Sequence, residues 1–273
     1  MPKSVYSLFF LLFGLFESIA VANDLDVKKS QWKGFERHDF KYNGVKSLLV
    51  IPDSPAKGFP WVWRARFFGH QPQADIELLK RGFHLAYCDV AGLFGNQVAV
   101  ERWNEFYQML ITQRGLSKKP ALEGMSRGGL IIYNWASVNP GRVSCIYGDA
   151  PVCDIRSWPG GKGKGKGGGS AWKAALKAHR ITDEESKSAK VSPIHKLKPI
   201  ANAGIPILHV VGAADKVVPV DENSEIIEKK YKELGGNIHV ISKPGIGHHP
   251  HALKDPRPIV DFILKHSLKI KVD

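Results

Sequence analysis

Gly124-Met125-Ser126-Arg127-Gly128 lies between an apolar run, Pro120 to Met125, and a helical pattern, Arg127 to Ser137. That setting decides the reading of the whole chain. The string matches G-x-S-x-G, the form in which a serine occupies a sharp strand-to-helix turn with its hydroxyl pushed out at the end of the strand. Side chains two residues to either side would collide with the backbone that approaches the serine, which is why both places are glycine. The same turn aims the backbone N–H of Arg127, and the helix N-terminus behind it, at the space in front of the hydroxyl. Ser126 is therefore the candidate nucleophile and Arg127 N–H the first candidate oxyanion donor.

A serine hydroxyl is a poor nucleophile until a positioned imidazole takes its proton and a carboxylate holds that imidazole in the useful tautomer. In the α/β-hydrolases, which this serine turn resembles, the acid and then the base come downstream, each in a loop after a strand. Pro206 to Val211 predicts a strand, and the loop Gly212 to Pro219 that follows it makes Asp215 the candidate acid. Asp221 and Glu222 are its rivals, but they suit the start of the helix Ser224 to Leu234, where a carboxylate meets the positive end of the dipole. Asp149 and Asp154, after the strand Val143 to Asp149, are alternative acids or pocket residues. Beyond the strand Asn237 to Ser242, His248, His249 and His251 fall within one short loop. His248 follows Gly247 directly off the strand and is the candidate base, with His249 and His251 candidates to line the substrate pocket. A histidine cluster can also ligate zinc. The H-E-x-x-H spacing is absent, however, and a serine with its own acid and base has no use for a metal, so none is expected.

Upstream, Trp63 to Gly69 is the loop that would supply the second oxyanion donor, from a backbone N–H near Ala65 or Arg66. Arg64 and Arg66 are two residues apart. If the strand persists they share a face, and one guanidinium reaches a substrate carboxylate or sulfate, with structural ion pairing as the alternative. His70 is near the same loop. From residue 35 onward strand-like and helix-like runs alternate, which predicts an α/β fold with a mostly parallel sheet and helices on both faces. Asn43-Gly44 suits a tight hairpin turn between Phe35 to Tyr42 and Val45 to Ile51. Residues 150–200 read as an irregular cap or insertion over the C-terminal edge of the sheet. The glycine- and lysine-rich run 160–169 within it lacks the Gly-Lys-Ser/Thr of a P-loop. It reads as a solvated loop or a basic lid. Trp158 and Trp172 there are of the residue type that stacks on sugar rings, and either could equally be core.

Residues 1–22 resemble an export signal, with Lys3, the apolar Leu8 to Phe16 and the small-x-small Ala20-Val21-Ala22, leaving 23–273 as one domain. A membrane anchor is disfavoured because the apolar run is short and ends at Glu17. The expected location is periplasmic or secreted, without membrane association. Cys88, Cys145 and Cys153 allow at most one disulfide. The net charge of +13 is unchanged by loss of the leader, which removes Lys3 and Glu17. Scattered lysines without interleaved aromatics speak against nucleic acid and fit either solubility or the steering of an acidic substrate. No cofactor motif is present.

At Gly124 to Gly129, at Gly212 to Pro219 and at Gly245-Ile246-Gly247-His248, the chain resembles the α/β-hydrolase superfamily, in the branch of dienelactone hydrolases, prolyl-oligopeptidase-like enzymes and secreted esterases. The likeness covers roughly 35–268. The Gly247-His248-His249-Pro250-His251 pattern is similar to exported bacterial hydrolases associated with polysaccharide breakdown. The oxyanion loop departs from the pattern in lacking a His-Gly start. The resemblance implies a serine hydrolase acting on carboxylic esters, most specifically a carbohydrate esterase or deacetylase. A prolyl-oligopeptidase-like peptidase and a non-catalytic binding relative are the alternatives.

Overall fold

The computed structural model describes residues 25–268, so the leader expected at 1–22 lies outside the described residues. The strand β1 (Lys28–Trp32) opens the sheet and pairs antiparallel with β2 (Phe35–Tyr42). Its first four residues are exposed on this edge, so it lacks the apolar alternation that marks a strand in a sequence. β2 returns antiparallel into β3 (Val45–Ile51) through Asn43 and Gly44, both at positive φ (47° and 76°), the backbone that a type I′ turn requires.

Strands and helices then alternate: β4 (Trp61–Ala65), α1 (Gln73–Lys80), β5 (His84–Cys88), α2 (Gln97–Gln113), β6 (Ala121–Met125), α3 (Gly128–Val138) and β7 (Cys145–Asp149). Next come α4 (Gly169–His179), α5 (Leu197–Asn202), β8 (Ile207–Gly212), α6 (Ser224–Glu233), β9 (Ile238–Lys243) and α7 (Arg257–Ser267). The strands form one sheet in the order β1-β2-β3-β5-β4-β6-β7-β8-β9. Pairing is antiparallel as far as β3 with β5 and parallel from β5 onward.

Parallel strands joined by helices are covered on both faces. On one face Trp103 and Phe106 of α2 and Trp135 of α3 pack against Trp63, which is stacked on Trp103 at 3.9 Å between ring centres, and Ile227 of α6 belongs to the same apolar core. On the other, Leu78 and Leu79 of α1 and Ile259 and Ile263 of α7 cover Val62, Leu85 and Val210.

The 150–200 stretch is more ordered than its composition suggests. Trp172 and Ala175 of α4 join Phe94, Leu130, Val152, Ile155 and Val218 in a separate small core at the start of α3. The basic run ahead of it is tied down by ion pairs, Lys162 to Asp183 at 2.8 Å and Lys164 to Asp221. Among the described residues no helix is long and apolar enough to cross a membrane. The consequence for function is positional: β4, β6, β7, β8 and β9 all point their C-terminal ends at one edge, and the loops that leave those ends carry the candidate residues.

Candidate active site

Ser126 sits at the junction of β6 and α3 with φ at 50°, the left-handed region that a non-glycine residue rarely enters. Surrounding bonds hold it there. Its N–H donates to Asp149 O at 2.8 Å, and its carbonyl accepts from Val152 N at 2.9 Å and Gly129 N at 3.0 Å. The flanking glycines answer to crowding: a side chain at Gly124 would lie 2.9 Å from Gly128 O, and one at Gly128 would run into the carbonyl of Ala65.

Ser126 Oγ lies 3.0 Å from His248 Nε2, and His248 Nδ1 lies 2.7 Å from Asp215 Oδ2. The loops that carry the acid and the base are joined by Ala213 N to Lys243 O at 3.0 Å and Ala214 N to Ile246 O at 2.8 Å, which fixes their relative position. The other carboxylate oxygen of Asp215 accepts from Val217 N at 2.8 Å and Val218 N at 2.9 Å. Burial pushes this carboxyl up, but the bonds from His248, Val218 and Val217 outweigh it and hold it below the usual carboxylate range. Asp215 is thus an ionised acceptor, and His248 must present a proton at Nδ1 and a lone pair at Nε2. The rival acids face elsewhere: Asp221 pairs with Lys164, and Glu222 accepts from Ser157 Oγ at 2.6 Å.

The N–H groups of Arg127 and Arg66 have no backbone or side-chain acceptor among the described residues. Because the Ala65 carbonyl abuts Gly128, the Ala65–Arg66 peptide packs directly on the serine turn. Arg66 and Phe67 both take positive φ, 59° and 52°, so the chain swings away from the strand at that point. The guanidinium of Arg127 lies 5.8 Å from the centre of Phe94 and 5.5 Å from that of Trp158. Burial, with Arg66 nearby, pulls its pKa down to about 10.

Arg64 is not at the site, contrary to the expectation that it touches substrate. Its side chain is 1% exposed and pairs with Asp75 and, at 3.0 Å, with Glu123, which is its direct neighbour in the β4–β6 register. The ion-pairing alternative is what the structure shows, and the left-handed turn at Arg66 keeps the two arginines from sharing a face. Trp158 is half-buried beside Phe94 and Arg127. His249 is exposed at the rim, whereas His251 is buried, with Nδ1 2.7 Å from Asp149 Oδ1, so it does not line an open pocket. This second carboxylate–imidazole pair was not anticipated. Asp149 also accepts from Tyr147 Oη at 2.7 Å and Ala252 N at 2.6 Å. Burial raises its carboxyl, and the His251 bond leads the interactions that bring it back below the ordinary value.

No family model and no curated protein matches the chain. Solved structures do. Puromycin hydrolase superposes with a TM-score of 0.63 at 17% identity, covering 90% of this chain and 39% of that one. Dipeptidyl peptidase 4 of Porphyromonas gingivalis gives 0.64 at 12%, covering 89% and 35%. Acylaminoacyl peptidase of Pyrococcus horikoshii gives 0.64 at 13%, covering 92% and 42%. The chain therefore spans roughly two fifths of the length of these structures, and over that span it has the α/β-hydrolase fold.

Proposed function

We propose that the chain is a serine hydrolase in which Ser126 attacks an acyl carbonyl, His248 carries the proton and Asp215 orients the imidazole. One observation carries this reading: the unbroken line from Asp215 through His248 to Ser126 Oγ, at 2.7 and 3.0 Å, on a turn held in the left-handed region. As the Oγ–C bond forms, the hydroxyl proton passes to His248 Nε2, and the imidazolium then gives it to the leaving group. The oxyanion meets the free N–H groups of Arg127 and Arg66. Water attacks the acyl-enzyme by the same route, releasing the acid and restoring Ser126.

For the bond cleaved, the names of the similar structures favour a peptide-type amide, and we take that as the leading substrate class. A small carboxylic ester, including a carbohydrate ester, is the second reading, favoured by the Trp158 and Phe94 rings beside the serine turn. In either case the half-buried Arg127 guanidinium has no carboxylate within ion-pair distance among the described residues, which suits an acidic group on the substrate. The leader-like 1–22 supports, as part of the same proposal, an activity outside the cytoplasm. N-terminal sequencing of exported protein, expected to begin at Asn23, tests that part.

The activity test compares peptide p-nitroanilides with p-nitrophenyl acetate and butyrate, for the wild type and a folded Ser126→Ala variant. The wild type turns over at least one series, and the variant loses about 10³-fold or more in kcat. The ratio of kcat/KM between the two series assigns the bond. A folded wild type inert to both, with Ser126 unlabelled by a fluorophosphonate, would overturn the proposal.

A further inference from the structure

The loop after β9 holds more imidazole than a proton relay uses. His248, His249 and His251 each offer a ligand nitrogen, and these atoms lie within 4.8 Å of one another, the one such cluster of ligating side chains among the described residues. The ring centres are 4.7 Å apart for His248 and His251, 4.8 Å for His249 and His251, and 5.0 Å for His248 and His249. Three imidazoles that bind one ion tetrahedrally at about 2.1 Å have ring centres about 5 Å apart. The rings are already spaced as a ligand set.

Two of the three are also fixed in the required tautomer. His248 Nδ1 lies 2.7 Å from Asp215 Oδ2 and His251 Nδ1 lies 2.7 Å from Asp149 Oδ1, so each Nδ1 faces a carboxylate oxygen and the Nε2 of each ring is the nitrogen left to offer a lone pair. A carboxylate behind Nδ1 is the arrangement that orients metal-ligating histidines and raises their basicity. His249, exposed at the rim, has the freedom to close the last ångström or so. His70 adds a further ring at the same rim, 5.9 Å from His251 and 6.4 Å from His249.

We propose that His248, His249 and His251 form a reversible site for a borderline divalent cation of the zinc type, and that its occupation blocks hydrolysis. Each bond is dative, from an imidazole lone pair to the cation. The lone pair of His248 Nε2 is the one that would take the Ser126 proton, so cation and catalysis exclude each other. The blocking arm rests on the serine-hydrolase reading; the binding arm does not. Magnesium and calcium prefer oxygen ligands and are not held by an all-imidazole set.

The test titrates the metal-free full chain with Zn²⁺ against a chromogenic chelator, with Mg²⁺ as control, for the wild type, Ser126→Ala and His249→Ala, and follows hydrolysis by the wild type in parallel. Expected are one equivalent of Zn²⁺ at micromolar affinity or tighter, the same in Ser126→Ala, and weakening in His249→Ala by roughly a hundredfold, since even outer partners are worth 10–100-fold. Zn²⁺ inhibits over the same concentration range, and added chelator restores turnover. Absence of saturable binding, or binding unchanged by His249→Ala, overturns the site. Binding without inhibition overturns the sharing of His248. A wild type that binds Zn²⁺ but never hydrolyses in its absence counts against the hydrolase reading and leaves the cation site standing.

Discussion

Two buried aspartates each hold a histidine of the same loop, and only one of them should matter for turnover. In Asp215→Asn, the amide oxygen still takes the Val217 and Val218 N–H groups, and the NH₂ faces His248 Nδ1. That nitrogen must then accept, so the ring proton moves to Nε2, which can no longer receive the proton of Ser126. The expected loss in kcat is about 10⁴-fold. In Asp149→Asn, the lost group is a 1% exposed carboxylate with three donors around it, His251 Nδ1, Tyr147 Oη and Ala252 N. Removing a buried, charge-assisted pair of this kind costs about 2–4 kcal/mol, a fall in Tm of roughly 5–15 °C for a domain of this size. Because His251 touches neither Ser126 nor Asp215, kcat falls by no more than about tenfold. The assay is kcat on the best p-nitrophenyl or p-nitroanilide substrate, at a temperature where both variants are folded, beside thermal unfolding of each. If Asp149→Asn lowers kcat as deeply as Asp215→Asn while still folded, the assignment of the acid is wrong.

His209 is buried between Tyr133 Oη at 2.7 Å and Ser224 Oγ at 3.0 Å, and burial pushes its pKa down to about 3. The unfolded chain binds a proton there below about pH 6.5 while the folded chain does not, so stability falls as pH drops from 6.5 toward 3, by about 2 kcal/mol between pH 7 and pH 5. Urea unfolding at both pH values should show that this extra loss disappears in His209→Gln; equal losses in the two proteins would refute it. Arg64→Met leaves Asp75 and Glu123 buried without their cation and should cost about 3–5 kcal/mol in the same assay. A change under about 1 kcal/mol would show that the carboxyls are neutral without Arg64.

The residues that sequence alone located are those whose constraint is local or ordered along the chain. Gly124 and Gly128 mark the serine turn because each must pass close to backbone, and the order Ser126, Asp215, His248 is the one that the α/β-hydrolase resemblance implies. The residues it missed depend on register. Alternation placed Arg64 and Arg66 on one face, but the strand ends at Ala65, and Arg66 turns left-handed. What Arg64 meets is set by Glu123, its partner in a different strand. The helix α4 was hidden by the glycine run ahead of it, and β1 by its exposed edge.

The Asp149–His251 pair shows the limit most clearly. Asp149 ends β7, the strand beside the one that delivers Ser126, and its carbonyl accepts the Ser126 N–H. By strand proximity it is a better candidate acid than Asp215, which lies beyond β8, one strand further out. Its carboxylate is nevertheless taken up by Tyr147, Ala252 and His251. His248, three positions before His251, reaches over it to Asp215. The acid is therefore selected by how far the loop after β9 carries each imidazole, a length that His248-His249-Pro250-His251 does not reveal until the sheet fixes both ends.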